Sequence, residues 1–237
     1  MRKIIQEVID ILFPRRCPFC DTIVTPEEEI CSACRKKITY IQEPVCKKCG
    51  QLIADERQEY CYDCSRKSHT YHSGKAVFVY QGVVKQSLYR FKYGNKREYA
   101  LCYGNEAVRL WGEWILSKQV DAIVPIPLHK KRQRSRGYNQ AELFAKVVGQ
   151  QLDIPVRTDV VFRTVNTAPQ KNLDDRQRKK NLKKAFTISQ NIVQLKKILL
   201  VDDIYTTGST VEAVTQQLRA AGVKEVYVLC VSIGRGY

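Results

Sequence analysis

The chain predicts an α/β protein, an open and mostly parallel sheet preceded by a small cysteine-rich module built on metal. Three observations carry this. From about residue 75 onward, short apolar runs alternate with stretches of helical periodicity, the pattern of strands joined by covering helices. Ahead of that point, eight of the ten cysteines fall into four C-x-x-C pairs. Late in the chain, "ILLVDDIYTTGST" (198–210) sets two adjacent carboxylates at the end of an apolar run and follows them, after Ile204 and Tyr205, with five Thr, Ser or Gly residues. At 237 residues, 44% apolar and 27% charged, the chain can bury one full-sized domain plus a smaller module. The expected division is 1–68 and 69–237.

At the start, Ile4, Ile5, Val8, Ile9 and Leu12 recur at helical spacing, predicting a short amphipathic helix over 3–13. Gln6, Glu7 and Asp10 interrupt it too early for an export signal. No stretch approaches a membrane span. The cysteine pairs follow: Cys17 and Cys20, Cys31 and Cys34, Cys46 and Cys49, Cys61 and Cys64. Two thiolates two residues apart reach one tetrahedral ion from a single knuckle, and a second knuckle completes a four-sulfur shell, which points to zinc. The pairs also repeat, because shifts of 29 and 30 positions carry the first two onto the last two. That favours two tandem ribbons, with one ion on Cys17, Cys20, Cys31 and Cys34 and another on Cys46, Cys49, Cys61 and Cys64. Interleaved pairing stays open, since the gap from Cys34 to Cys46 is about as long as the others. A module so poor in apolar residues depends on its ions to fold. A fully thiolate-ligated ion has no open position for chemistry, so both zincs are expected to be structural. His69 and His72 are then ordinary surface residues.

The net charge of +16 is unevenly spread. Residues 1–68 hold 12 Lys and Arg against 11 Asp and Glu, leaving 28 against 13 for the remainder. Loading two zincs onto eight thiolates would take the module from +1 to −3. Any polyanion is therefore expected to meet the second part of the chain. Cations concentrate in "HKKRQRSRG" (129–137) and "RQRKKNLKK" (176–184), which without further context would be solvated faces.

Strands are expected at 76–80, 121–128, 160–163, 197–201 and 226–233, and helices at 99–117, 139–152 and 210–221, the last capped by Gly222. Several strands are continuous apolar runs, as in parallel sheets covered on both faces. Ligands of such sheets bind beyond the carboxyl ends of the strands, where both the first basic segment and the acid pair fall. There, Thr206, Thr207, Gly208, Ser209 and Thr210 turn into a helix, with Ser209 and Glu212 at capping-box spacing. Backbone NH groups at a helix start, with hydroxyls and a glycine that lets the chain come close, suit a monophosphate. Asp202 and Asp203 would repel that phosphate and more readily take neutral hydroxyls or a metal. A ribose 5-phosphate satisfies both. A Walker loop would need a Lys after the glycine, and a dinucleotide fingerprint three spaced glycines; neither is present. The alternative is an acidic turn ahead of a helix.

"VDDIYTTGST" resembles the phosphoribosyl pyrophosphate loop of type I phosphoribosyltransferases. With "CPFC…CSAC…CKKCG…CYDC", "VPIPLHKKRQRSRGYNQA" and "PQKNLDDRQRKKNLKKAF" in the same order, nearly the whole chain is similar to the ComF competence family. The resemblance implies a type I phosphoribosyltransferase-like fold behind a double zinc ribbon, and a role in uptake of single-stranded DNA in natural transformation. It implies that Asp202 and Asp203 bind the ribose hydroxyls, that Thr206, Thr207, Gly208, Ser209 and Thr210 hold the 5-phosphate, and that Pro127, Leu128 and His129, with Lys130, Lys131 and Arg132, hold the pyrophosphate. Magnesium would accompany the phosphoribosyl pyrophosphate, and residues 166–184 would form a loop that closes over the site. DNA contacts are expected from Arg134, Arg136, Arg176, Arg178, Lys179, Lys180, Lys183 and Lys184, with Tyr89, Phe91, Tyr93, Tyr138 and Phe186 available for stacking. A cytoplasmic location, extending to peripheral contact at the inner face of the membrane, and a DNA-translocation ATPase as partner are also implied. Two classes stay open: a transferase with an unknown acceptor, and a binding protein that keeps the pocket as a sensor or relic while handling DNA.

Overall fold

The continuous apolar run of residues 198–201 sits at the middle of the molecule because both of its faces are covered. Ile198 and Leu200 join one hydrophobic cluster and Leu199 and Val201 the other, all four fully buried. Burying such a side chain contributes about 1.5–3 kcal/mol, which explains why no polar residue interrupts the run. The computed structural model describes residues 14–25, 27–165, 185–190, 192 and 194–234. The helix expected over 3–13, the closing loop 166–184 and with it Arg176, Arg178, Lys179, Lys180, Lys183 and Lys184 lie outside the described residues.

In chain order the elements are α1 (Ser32–Arg35), α2 (Tyr62–Arg66), β1 (Ser73–Val79), α3 (Gly82–Tyr93), α4 (Tyr99–Ser117), β2 (Ala122–Pro125), α5 (Lys130–Arg136), α6 (Gln140–Leu152), β3 (Val161–Arg163), β4 (Phe186–Ile188), β5 (Lys197–Tyr205), α7 (Ser209–Ala220) and β6 (Glu225–Ile233). Four strands form a parallel sheet in the order β1-β6-β5-β2. Beyond β2, Val156 makes a parallel bridge with Ile123. The chain leaves β5 towards β6 on one side and leaves β2 towards residue 156 on the other. The carboxyl ends of β2 and β5 therefore flank a topological switch point, where sheets of this class open a crevice.

Three expectations are corrected. Residues 160–163 do not join the parallel sheet: β3 pairs antiparallel with β4 in a separate two-stranded sheet, a pairing with residues far along the chain that local pattern cannot show. The strand expected to end at Val201 continues to Tyr205, because β6 pairs with it as far as Ile233, so Asp202 and Asp203 lie within the strand. Four helices were not expected: the short α1 and α2 at the second knuckle of each ribbon, α3, and the basic α5, which the left-handed Gly137 closes. The helix closing at Gly222 is as expected, with Gly222 at φ +99°.

The cysteine-rich module is built into the sheet. Residues 39–41 run antiparallel along β1, with Ile41 N–H donating to Val77 O (2.9 Å) and Val79 N–H to Thr39 O (2.9 Å). On one side of this strip Cys17, Phe19 and Cys34 join the cluster beneath α3, α4 and α6; on the other Val45, Cys46, Cys49 and Cys61 join the cluster beneath α7. The two ribbons straddle the β1 edge and cover opposite faces of the sheet.

Candidate functional site

The cysteines assemble in tandem, which closes the interleaved alternative. The Sγ atoms of Cys17, Cys20, Cys31 and Cys34 lie within 4.8 Å of one another, as do those of Cys46, Cys49, Cys61 and Cys64. Cys20 and Cys31 are 3.6 Å apart, and so are Cys49 and Cys61. Zinc–sulfur bonds of about 2.3 Å at tetrahedral corners require roughly 3.8 Å between sulfurs, so both tetrads fit the ion. The repeat extends to the backbone. Asp21 and Gly50, each following a knuckle's second cysteine, take positive φ (65° and 76°) and donate to Cys17 O and Cys46 O. At Gly50 no side chain is tolerated, since a Cβ would lie 2.4 Å from Gly74 O of β1.

At the switch point, β5 carries Asp202 and Asp203 into a hollow of about 440 Å³, lined also by Tyr80, Lys92, Arg132, Arg136, Arg163, Thr206 and Thr210 together with Ile126, Pro127 and Leu128. Asp203 accepts from Lys92 Nζ at 2.9–3.0 Å. Its own N–H donates to Asp202 Oδ1 (2.8 Å). Burial, and then the neighbouring Asp203 carboxylate, push the Asp202 pKa up to about 7, because neither favours a second charge in the same enclosure.

Beyond the acids, the chain turns at Gly208 (φ +71°) into α7. The Gly208 backbone rests on the Tyr205 phenol, and a Cβ there would lie 2.2 Å from Tyr205 Oη. The expected capping box does not form. Ser209 is the first helical residue and pairs with Thr207 through their hydroxyls (2.7 Å), while Glu212 turns to accept from Thr70 N–H and Oγ1 (2.9 Å each). The first NH groups of a helix have no intrahelical partner, and the N-cap of α7 is Gly208, which has no side chain to take them. His69 is corrected from the surface: its side chain is 6% exposed and lies 3.6 Å from Glu212. His72 is exposed as expected.

Pro127, Leu128 and His129 form the turn between β2 and α5, and the His129 ring accepts from Lys131 N–H (3.2 Å). Arg132 and Arg136 line the hollow with Asp202 and Asp203; Lys130 and His129 instead line an adjoining cavity of about 650 Å³, and Lys131 and Arg134 are exposed and line neither. Of the aromatic residues, Phe91, Tyr138 and Phe186 are buried in the core, whereas Tyr89 and Tyr93 are exposed. Sequence reasoning missed Lys92, Arg163 and Asn139. Lys92 reaches Asp203 from 111 positions away in the chain, with no local signal. Asn139 is buried, starts α6 and holds Ile126 O (3.0 Å). Its position at the head of a helical pattern was the available clue.

Such a crevice behind two four-cysteine ribbons defines a phosphoribosyltransferase-type domain with a metal-ribbon module. Residues 8–65 match the double zinc ribbon domain and residues 139–236 the phosphoribosyl transferase domain. The chain is 34% identical over 224 residues to competence protein F of Haemophilus influenzae, covering 91% of this chain and 96% of the relative. It is 27% identical over 206 residues to competence protein ComFC of Bacillus subtilis (84% and 82% covered) and 31% over 204 residues to DNA utilization protein YhgH of Escherichia coli (85% and 88%). The chain belongs to the ComF competence protein family.

Proposed function

We propose that the chain binds phosphoribosyl pyrophosphate with magnesium in the hollow between β2 and β5 and assists the handling of single-stranded DNA during natural transformation. One observation carries the first half: two segments far apart in sequence, the contiguous acid pair and hydroxyl loop and the Pro127–Leu128 turn with Arg132, meet around a single enclosure. Asp202 and Asp203 accept from the ribose hydroxyls, and the loop from Thr206 to Thr210 takes the 5-phosphate on NH groups and hydroxyls. Arg132, Arg136 and Arg163 face the pyrophosphate. The paired carboxylates fit a divalent ion, since Asp202 is held up to about 7 by burial and its neighbour and an added positive charge relieves both. Magnesium, when bound, supplies charge neutralisation of the pyrophosphate. Calorimetry with phosphoribosyl pyrophosphate and magnesium on zinc-loaded protein tests this. Binding is expected for the native chain and its loss for Asp202→Asn/Asp203→Asn; no binding by the native chain overturns it.

The DNA half is supported by the family names and by the cations of 130–136 and 176–184. Steep weakening of oligonucleotide affinity between low and physiological salt is expected, and a fragment of residues 1–68 that matches the full chain would overturn the placement. On this reading the protein works in the cytoplasm at the inner face of the membrane, beside a DNA-translocation ATPase. A second reading, an active transferase of unknown acceptor outside transformation, is favoured by the adjoining cavity. It shares Pro127, Leu128, Asn139 and Arg163 with the hollow and holds His129, Glu142, Thr158 and Thr187, polar groups that suit an acceptor. There Arg163, Arg132 and Arg136 would stabilise the departing pyrophosphate. Pyrophosphate release with a panel of bases and amines separates the two.

A further inference from the structure

Helix α3 has an outer face unlike the solvated side of an ordinary surface helix. Val84, Ser87, Leu88 and Phe91 are its buried residues. Tyr89 and Tyr93, one turn apart, are 66% and 61% exposed, and their rings lie 4.9 Å apart at 48°. Exposed aromatic rings in such a pair retain most of their apolar surface in water, and the core does not require them. Cations frame the pair. Arg136 lays its guanidinium 5.0 Å from the Tyr93 ring centroid and donates to Tyr93 Oη (3.3 Å), while its other arm is held by Gln140 Oε1 (3.1 Å). Lys85 is exposed one turn before Tyr89, and Arg97 donates to the carbonyl of Gly137, the residue after Arg136. Arg136 and Lys92 also line the hollow that holds Asp202 and Asp203.

We infer that Tyr89 and Tyr93 form a stacking platform for the bases of single-stranded DNA, whose phosphates pass over Arg136 at the rim of the hollow. The inference rests on the DNA half of the proposed function and adds its contact surface. Two adjacent exposed rings with a pinned guanidinium give sequence-tolerant stacking and a phosphate contact in one place, as single-strand binders require. A duplex has its bases already stacked and presents no free base faces to such a platform. Because Arg136 belongs to both surfaces, strand and phosphoribosyl ligand meet at one side chain.

The test is fluorescence anisotropy of labelled oligo(dT) on zinc-loaded full-length protein at two salt concentrations, with zinc content and phosphoribosyl pyrophosphate affinity measured alongside. Tyr89→Ala and Tyr93→Ala are each expected to weaken binding roughly 5- to 150-fold, the range for one stacked base, with the salt dependence unchanged. Tyr89→Phe and Tyr93→Phe, which keep the rings, should stay near the native affinity. Arg136→Gln should lower the salt slope by about one phosphate contact. Native affinity in the double alanine variant overturns the platform and leaves the DNA reading standing. No oligonucleotide binding by the native chain overturns both. An equal loss on duplex and single strand, or alanine variants that lose binding only with a lower salt slope, also overturns stacking.

Discussion

The phenols of Tyr71 and Tyr205 share a hydrogen bond of 2.8 Å at the place where the second ribbon meets the hydroxyl-rich loop 206–210. Both side chains are buried, and burial holds both pKa values far above the usual tyrosine range, so one neutral hydroxyl donates to the other. Changing either residue to Phe leaves the remaining hydroxyl without that partner in an apolar enclosure, at a cost of about 1–3 kcal/mol. Changing both removes the two polar atoms together and keeps both rings, whose edge-on packing is at 6.5 Å and 83°. The double variant is therefore expected to be more stable than either single variant by about 1–2 kcal/mol. Urea unfolding of the zinc-saturated proteins reads this directly. With a slope near 2 kcal/mol/M, the single variants should lose roughly 1 M in midpoint, and the double variant should recover half or more. Additive losses, with the double variant least stable, would refute the view that an orphaned hydroxyl dominates.

Raising the pH should move stability and affinity in opposite directions. The Asp202 pKa goes from 3.8 to about 7 on folding, so between those values the folded chain holds a proton that the unfolded chain has released, and stability falls as pH rises through this window. Asp202→Asn should remove that fall, seen as a higher melting temperature than native at pH 8, whereas native affinity for the magnesium-loaded ligand should rise from pH 6 to 8; a native affinity that falls over the same interval would contradict the role of the ionised acid. Gly208→Ala forces an L side chain into the left-handed region, about 1–2 kcal/mol, and into the Tyr205 ring; ligand affinity should drop at least tenfold by calorimetry, and an unchanged value would remove the loop from the site. Stripping both zincs with a chelator should open both faces of the sheet, since each ribbon joins a different core cluster; strong binding of an apolar dye is expected, and a metal-free chain with the native melting temperature would exclude a structural role for the ions.

The parts legible in the sequence are those set by local chemistry. Cysteine spacing defines a tetrad within some twenty residues, and a two-sided apolar run such as 198–201 declares a central strand by itself. The junction after Asp203 was legible for the same reason: acid pair, glycine and hydroxyls are contiguous. What was not legible depends on residues that meet from far apart. Lys92 reaches Asp203 across the sheet, β3 finds β4 only after the chain has passed through 166–184, and Glu212, placed by pattern as a cap, is claimed by Thr70 and lies beside His69. In the last case tertiary contact outcompeted a local motif worth about the same energy. The 39–41 strip along β1 was likewise invisible, because one antiparallel bridge leaves no period to detect.

The position of the second ribbon gives the loop a rigid backing on the side away from the hollow. Gln51, two residues beyond Cys49, donates to Gly234 O (3.2 Å), and Gly234 N–H donates in turn to Tyr205 O (2.9 Å). Tyr71 meets Tyr205 beneath Gly208, and Thr70 holds Glu212 in the first turn of α7. The end of β5, the pivot of the loop and the start of the following helix are each fastened to residues that immediately follow or belong to the ribbon. A glycine- and hydroxyl-rich turn would otherwise be among the least ordered parts of a sheet of this kind. The proposed anion binding by backbone NH groups would gain from their being fixed before the ligand arrives, and the zinc-anchored module supplies that fixation while none of its residues is among the described residues lining the hollow. The chain's formal charge fits the same division: the zinc-loaded ribbons are mildly acidic and the excess of cations lies beyond them, where the proposed polyanion contacts fall.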